Sequence, residues 1–381
     1  MQNYEIFMLN LNKSIYKVLL VYQIALSLVR EIGPVNGKKL VAYMGSPRAI
    51  FESNRKQLAQ IPGISKKLVA ELSSKEPLRK AENEIRYIEK HHIKPLFYTD
   101  KTYPQRLRHC ADGPLMIYYK GNADLNHNRM LAMVGTRSST EYGKFMSEKI
   151  ISDLKGADVM IISGLAFGID SYSHRFALKN NMETLGVIAH GHDMMYPAQN
   201  RSLANKMISQ GGIISEWSSG VIPEKIMFPR RNRIIAGLSD AIVVVEAAKK
   251  GGALITADIG VSYNRDVFAV PGRSYDTFSE GCNNLIKRNI AALADSGKAI
   301  LKMMNWDIQD QDVRKRQRKL FQELSSEERM ITDKLKLNGP STIDWLAVET
   351  NMTSSKLSTI LLKLEFDGLV KNIPGNRYQL V

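Results

Sequence analysis

Cysteine is nearly absent from this chain: Cys110 and Cys282 are the only two in 381 residues, far apart and without His or Cys at metal-ligand spacing. The count excludes a disulfide framework, and the spacing leaves a structural zinc site without ligands. No run approaches the roughly 18 uncharged apolar residues that a bilayer-crossing helix needs. The nearest stretch, 15–29, is interrupted by Lys17 and Gln23 and reads as an amphipathic helix. No basic leader with an apolar block and a small-residue cleavage site opens the sequence. A reduced, cytoplasmic protein with no membrane association is the expectation. Two nucleotide signatures are missing too. The first central strand lacks Gly-x-Gly-x-x-Gly, and Gly-x-x-x-x-Gly-Lys-Ser/Thr occurs nowhere. NAD binding and P-loop hydrolysis therefore lose their specific support, and no cofactor is expected.

Acidic residues are in deficit. Lys and Arg number 53 against 38 Asp and Glu, a net charge of +15. The surplus is uneven, at +9 for residues 1–124, +4 for 125–300 and +2 for 301–381. A basic excess favours a polyanionic partner such as nucleic acid. The nearly neutral C-terminal segment argues against strong DNA binding there. With 44% apolar and 24% charged residues, the chain has ordinary globular composition and length for two or three cored domains.

Residues 12–90 show helical periodicity broken by short turns. Two of these, at 32–37 and 61–65, resemble each other, and each is followed by two lysines and an apolar stripe. Two readings fit: a helix-hairpin-helix unit whose backbone N–H groups meet a phosphate, or a plain helical bundle with glycine turns. From about 128 to 300 the pattern changes. Apolar runs at 130–134, 159–163, 184–188, 213–215, 241–246 and 267–270 lack polar alternation, as strands buried on both faces do. Helix candidates lie near 140–154, 170–180, 199–210, 252–263 and 283–292. The rhythm predicts an α/β fold, an extended Rossmann-like, doubly wound and mostly parallel sheet with helices on both faces. Residues 302–323 read as a polar linker, including the basic run 314–319, a solvated tether. In the final segment, Ser325 and Glu328 fit a capping box, followed by helices at 343–350 and 355–366. A hairpin around Pro374-Gly375-Asn376 completes a winged helix. The expected units are a helical domain with connector (1–124), a Rossmann-like domain (125–301), the linker (302–323) and the winged helix (324–381).

Ligands of an open α/β sheet bind beyond the carboxyl ends of its strands. There the chain carries Gly135-Thr136-Arg137, then Gly164 through Asp170, then Lys249-Lys250-Gly251-Gly252 and Thr256. Glycine removes Cβ atoms, so backbone N–H groups approach an anion. The densest signal is Phe228-Pro229-Arg230-Arg231-Asn232-Arg233, placed just before an apolar stretch that reads as a strand. Guanidinium forks fit phosphate, and the Phe ring offers a face for an unpaired base. Asp170 and His174 read as a helix cap and a locally bonded side chain rather than an acid–base pair. His190 and His192 lack further metal ligands.

These motifs resemble a known family. VGTR (134–137), SGLAFGID (163–170) with His174, YP (196–197), SE (215–216), FPRRNRIIAGLSD (228–240), VVVEA (243–247), GGALITA (251–257), VFAVPG (267–272) and EGCNNLI (280–286) are similar, in this order, to the DNA-processing protein A (DprA, or Smf) family. The resemblance implies a single-stranded DNA-binding module, homodimerisation, and loading of the RecA recombinase onto incoming DNA during natural transformation. It places DNA contacts on Gly135, Arg137, Lys225 and Phe228, with Arg231, Asn232 and Arg233 following. Asn232 and Arg233 equally fit a structural role beneath the pocket. Phe167 stands where the family usually has Arg, Ala253 follows Gly-Gly where Ser-Gly-Ser is commoner, and Asn289-Ile290 replaces Gly-Ala. The candidate nucleic-acid site is thus Gly135, Thr136, Arg137, Gly164, Phe167, Lys225, Phe228, Arg230, Arg231, Asn232 and Arg233, with no catalytic residue. A competing enzyme reading comes from the Gly-Gly-x-x-x-Thr loop, also found in nucleoside-monophosphate phosphoribohydrolases, with Glu246 or Glu216 as carboxylate. In a third, the chain is mainly a scaffold whose winged helix binds protein.

Overall fold

The computed structural model describes residues 16–306 and 324–381. Six helices come first: α1 (16–28), α2 (Pro34–Met44), α3 (Pro47–Glu52), α4 (Arg55–Ala59), α5 (Lys66–Leu72) and α6 (Glu76–Lys90). Ser46, Asn54 and Ser65 each accept a first-turn N–H and so start α3, α4 and α5. The turn expected over 32–37 is shorter than that, because Gly33 caps α2 and Pro34 already occupies its first turn.

Residues 94–124, grouped by sequence with the helical domain, belong instead to the sheet. They supply β1 (Lys94–Phe97) and β2 (Met116–Gly121), which pair with each other and with the parallel sheet in antiparallel register. Met116 and Tyr118 pack into the helical bundle, whereas Ile117 and Tyr119 enter the core on the opposite face. Both faces are apolar, so β2 lacks polar alternation in the same way as the central strands.

The sheet continues with β3 (Met130–Val134), β4 (Met160–Ser163), β5 (Thr184–Ile188), β6 (Gly211–Ser215), β7 (Ala241–Val244), β8 (Asp266–Ala269) and β9 (Ala292–Leu293). Its order is β1-β2-β6-β5-β4-β3-β7-β8-β9, and every pairing from β6 to β9 is parallel. Strand β3 therefore lies between β4 and β7, where the winding direction reverses. Its alternate residues serve two cores: Leu131 and Met133 on one face, Ala132 and Val134 on the other. The connecting helices are α7 (Gln105–Arg108), α8 (Glu141–Asp153), α9 (Ile169–Lys179), α10 (Arg201–Ser209), α11 (Met227–Leu238), α12 (Gly252–Ser262), α13 (Glu280–Lys287) and α14 (Gly297–Met303).

Helix α11 corrects the strand expected after the arginine cluster. Ile234 and Ile235 are β-branched, a strand signal by propensity, yet both are buried on a helix against the sheet. Pro229 sits in the first turn, where its missing N–H breaks no hydrogen bond. The expected helix over 283–292 also starts and ends earlier, leaving Ala292 and Leu293 for the edge strand β9.

The buried His174 and half-buried His192 are expected to make the fold acid-sensitive. The His174 Nδ1 lies 2.7 Å from Thr184 Oγ1, and burial holds its pKa down to about 3. Burial likewise holds His192, whose Nε2 lies 2.9 Å from the Tyr118 carbonyl oxygen, down to about 4. The unfolded chain protonates these rings near pH 6.5, whereas the native state keeps them neutral. Unfolding free energy is therefore expected to fall as pH drops from 6.5 toward 4, by about 2 kcal/mol or more from His174 alone. Urea melts across that range measure it, and a flat profile would contradict the burial.

Of the expected linker, residues 302 and 303 finish α14 and Trp306 is buried, while 307–323, with the basic run 314–319, lie outside the described residues. Three helices (Ser326–Asn338, Ile343–Thr350, Ser354–Phe366) and the hairpin Val370–Ile373/Arg377–Leu380 then form the winged helix, with the Ser325–Glu328 capping box in place. A short strand, Ser341–Thr342, adds a third strand to its sheet. The wing reaches the central domain at Asp240. That carboxylate receives Arg106 through Nε and Nη2, both at 2.8 Å, the Met130 N–H at 2.9 Å, and Arg377 Nη2 of the wing at 3.2 Å. Burial presses the Arg377 pKa down to about 10, which leaves it charged.

Candidate nucleic-acid interface

At the reversal point between β3 and β7 the sheet opens into a cavity of about 620 Å³. Two loops and two helices build much of it. The loop after β3 contributes Gly135, Thr136 and Arg137, and the loop after β7 contributes Lys250, Gly251 and Gly252. Asp170 enters from the first turn of α9, and α11 lends Phe228, Arg231 and Asn232. Parallel strands direct all these carboxyl-end loops to one rim, where the N-termini of α9 and α12 add a favourable field for an anion.

The loop between β4 and α9 approaches so closely that only glycine fits at two points. Gly168 has φ +74, and a Cβ there would lie 2.2 Å from the Thr136 carbonyl oxygen. At Gly164 a Cβ would run into the Arg231 guanidinium and Asp170. Asp170 is not the cap of α9, as expected; Gly168 occupies that place, and the Asp170 carboxylate accepts the Ala166 N–H at 3.3 Å. Burial raises its pKa, with the Arg231 charge opposing.

Helical geometry sorts the arginine cluster. Phe228, Arg231, Asn232 and Ile235, spaced i, i+3, i+4 and i+7, share one face of α11 and line the cavity. Arg230 and Arg233 fall on other faces, and neither lines it. Arg233 pairs with Glu216 and donates to the Asp112 carbonyl, which makes it a tether between loops, a correction to its candidate role as a contact. Arg230 is exposed outside the cavity. Arg231 is buried, with Nη1 donating to the Gly164 and Val187 carbonyl oxygens and Nε to Asn232 Oδ1. Burial lowers its pKa to about 10, so it remains a cation beneath the cavity floor. Asn232 in turn donates to the Gly252 carbonyl oxygen at 3.2 Å, fixing the start of α12.

The rim holds the exposed cations and rings. The Arg137 guanidinium lies 4.8 Å from the Phe228 ring centroid, a cation–π contact that orients it over the opening. Lys225 is exposed at the same opening. Tyr196 meets Phe228 with centroids 5.9 Å apart, and Phe167, 45% exposed, lines a narrow crevice with Arg137, Gly164, Tyr196 and Phe228. Phe167 is thus a third ring beside Arg137. Of the cavity residues, Tyr196 and Lys250 were absent from the candidate set. The signal for Lys250 was topological, since the β7 loop flanks the same reversal point as the β3 loop, whereas Tyr196 arrives from the segment after β5.

The carboxylates that an enzyme reading needs are committed elsewhere. Glu246 accepts the Thr140 N–H at 2.9 Å and its hydroxyl at 2.5 Å, pinning the start of α8, and Glu216 holds Arg233. Asp170 is the one carboxylate among the described cavity-lining residues. His190 and His192 are engaged by backbone groups, including the Tyr196 N–H on His190 Nε2 at 3.2 Å. Among the described residues no helix is long and apolar enough to cross a membrane.

Comparison with known proteins agrees with this architecture. The family model described as DNA recombination-mediator protein A matches residues 94–305, starting at β1, and models of the DprA winged helix domain and of a SAM-like helix-hairpin-helix tandem match 318–376 and 24–74. Protein Smf of Synechocystis is 31% identical, covering 94% of this chain and 98% of its own. The DNA processing protein DprA of Streptococcus pneumoniae is 41% identical over 53% of this chain and 71% of its own. The crystal structure of that pneumococcal DprA superposes with a TM-score of 0.62 at 32% identity, covering 76% of this chain and 96% of that one. Helicobacter pylori DNA processing protein A, whose structure is described for its unique single-stranded DNA binding mode, gives 0.51 at 25% identity over 56% and 96%. With a family model spanning more than half its length and a relative aligned nearly end to end, the chain belongs to the DNA processing protein A (DprA/Smf) family.

Proposed function

We propose that the cavity binds single-stranded DNA without breaking a covalent bond, and that the protein, as a homodimer, passes the strand to the RecA recombinase during natural transformation. The observation that carries the first step is the Arg137–Phe228 contact beside Lys225: cations for phosphates and a ring for a base at one opening. A flexible single strand brings both to the rim at once, whereas a duplex keeps its bases stacked inside. The relatives named as DNA processing proteins and the H. pylori structure support this choice of ligand.

Phe228→Ala isolates the stacking part. It is expected to weaken oligothymidine binding by about 5- to 150-fold, the equivalent of about 1–3 kcal/mol per stacked base. The slope of log affinity against log salt stays unchanged, because no charge is removed. Fluorescence anisotropy across a salt series reads both quantities. Wild-type affinity in the variant would remove the ring from the binding mode. Transfer to RecA is tested separately, by whether the protein accelerates RecA filament growth on a single strand.

A further inference from the structure

Just beyond Pro197 in the chain, Gln199 borders a second depression, between α9 and α10. It measures about 630 Å³ and presents Arg175, Lys179, Gln199, Ser202, Lys206 and Gln210. An adjoining hollow over α10 shares Gln199, Ser202 and Lys206 with it and adds Arg201. Neither has an Asp, a Glu or an aromatic ring in its lining. Among the described residues, the side chains of Arg175, Arg201 and Lys206 form no ion pair or hydrogen bond, while Lys179 bridges Glu148 at 2.8 Å.

Packing explains why these cations face outward. Leu203, Ala204 and Met207 of α10 sink into an apolar cluster with Leu165, and Leu178 of α9 packs against it. Arg201 and Lys206 of α10 are left exposed, as are Arg175 and Lys179, one turn apart on α9. The depression is rigidly joined to the DNA cavity. Asn200, buried just beyond Pro197, donates to the Leu165 carbonyl oxygen and to Ser171 Oγ, both at 2.9 Å. That ties the 197–200 segment to the loop bearing Phe167. Helix α9 itself spans both sites, with Asp170 in the cavity and Arg175 in the groove.

We infer that the α9–α10 groove is a second track for the same single strand, gripping the phosphate backbone where it leaves the cavity past Tyr196. This track presupposes single-strand binding at the cavity, proposed above. Cations without rings hold phosphates and leave the bases free, so the track is indifferent to base identity and presence. Charge complementarity and continuity with the cavity favour nucleic acid over an acidic protein segment.

The test compares the full chain with its Arg175→Ala/Arg201→Ala/Lys206→Ala variant on oligothymidines of about six and about 20 nucleotides. The variant is expected to bind the short strand within about 2-fold of wild type and the long strand at least about 10-fold more weakly. Its salt slope on the long strand should fall by about 2, at about 0.7 per lost phosphate contact. A short strand carrying an abasic extension should bind wild type as tightly as the all-thymidine long strand. Unchanged long-strand affinity and slope in the variant would overturn the track, as would an abasic extension that adds nothing. Polyglutamate that binds wild type but not the variant, with long-strand binding intact in both, would reassign the groove to an acidic protein. Failure of wild type to bind even the short strand would reject the cavity reading itself, and the track with it.

Discussion

Arg137→Ala/Lys225→Ala is expected to lower affinity for oligothymidine by about 100-fold at physiological salt, from two charge-assisted contacts at about 1.5 kcal/mol or more each. The slope of log affinity against log salt should flatten by about 1.4, since each lost contact to a single strand removes about 0.7. Both side chains sit exposed on the rim, so neither truncation leaves a buried partner unpaired, and the fold should hold. Arg233→Ala provides the contrast. Its guanidinium is spent on Glu216 and the Asp112 carbonyl, so the slope should not move while stability drops. A salt titration of the three proteins decides the matter. If the double variant keeps the wild-type slope, or Arg233→Ala flattens it, phosphate does not lie where the Arg137 and Lys225 rim places it.

The second large effect concerns Asp240. Two guanidinium groups, from Arg106 and the wing's Arg377, and one backbone N–H converge on this buried carboxylate. Removing it in Asp240→Ala strands both cations away from water, and a broken buried pair costs about 3–5 kcal/mol. Urea unfolding should show that loss. Hydrogen exchange in Val370–Leu380 should also quicken in the variant, because Arg377 loses its anchor on the central domain. Arg377→Met addresses the wing alone, since it leaves Asp240 with Arg106 and the Met130 N–H, and its cost should be the smaller. A loss below about 1 kcal/mol in Asp240→Ala would mean that the carboxylate does not bind the two domains together.

Much of the central domain was legible in order of residues alone. The runs 130–134 and 184–188 became β3 and β5 with those bounds, because strands buried on both faces must be apolar throughout. Arg137 and Phe228 stood out for their chemistry, a cation at a glycine-rich strand end and a ring beside an arginine cluster, and the fold brings the two within 4.8 Å; Lys225 entered only through the family resemblance. The capping box at Ser325 and Glu328 was equally local, an exchange of hydrogen bonds within one turn.

What failed depended on distant neighbours. The stretch 116–121 carries an apolar run like those of β3 and β5, but that β6 offers it an edge and the helical bundle covers its other face is not encoded in its own residues. Ile234 and Ile235 became helical because the sheet's face, not their propensity, chose the periodicity, and that choice divided the arginines: Arg231 beneath the cavity, Arg233 on Glu216, Arg230 outside. Sequence by itself determined the alternation of elements and the chemical character of the binding loops, since both follow from local composition. Only the tertiary structure decided which charges face the ligand and which hold the frame, because a cation's role depends on whether a carboxylate or carbonyl from another part of the chain reaches it first.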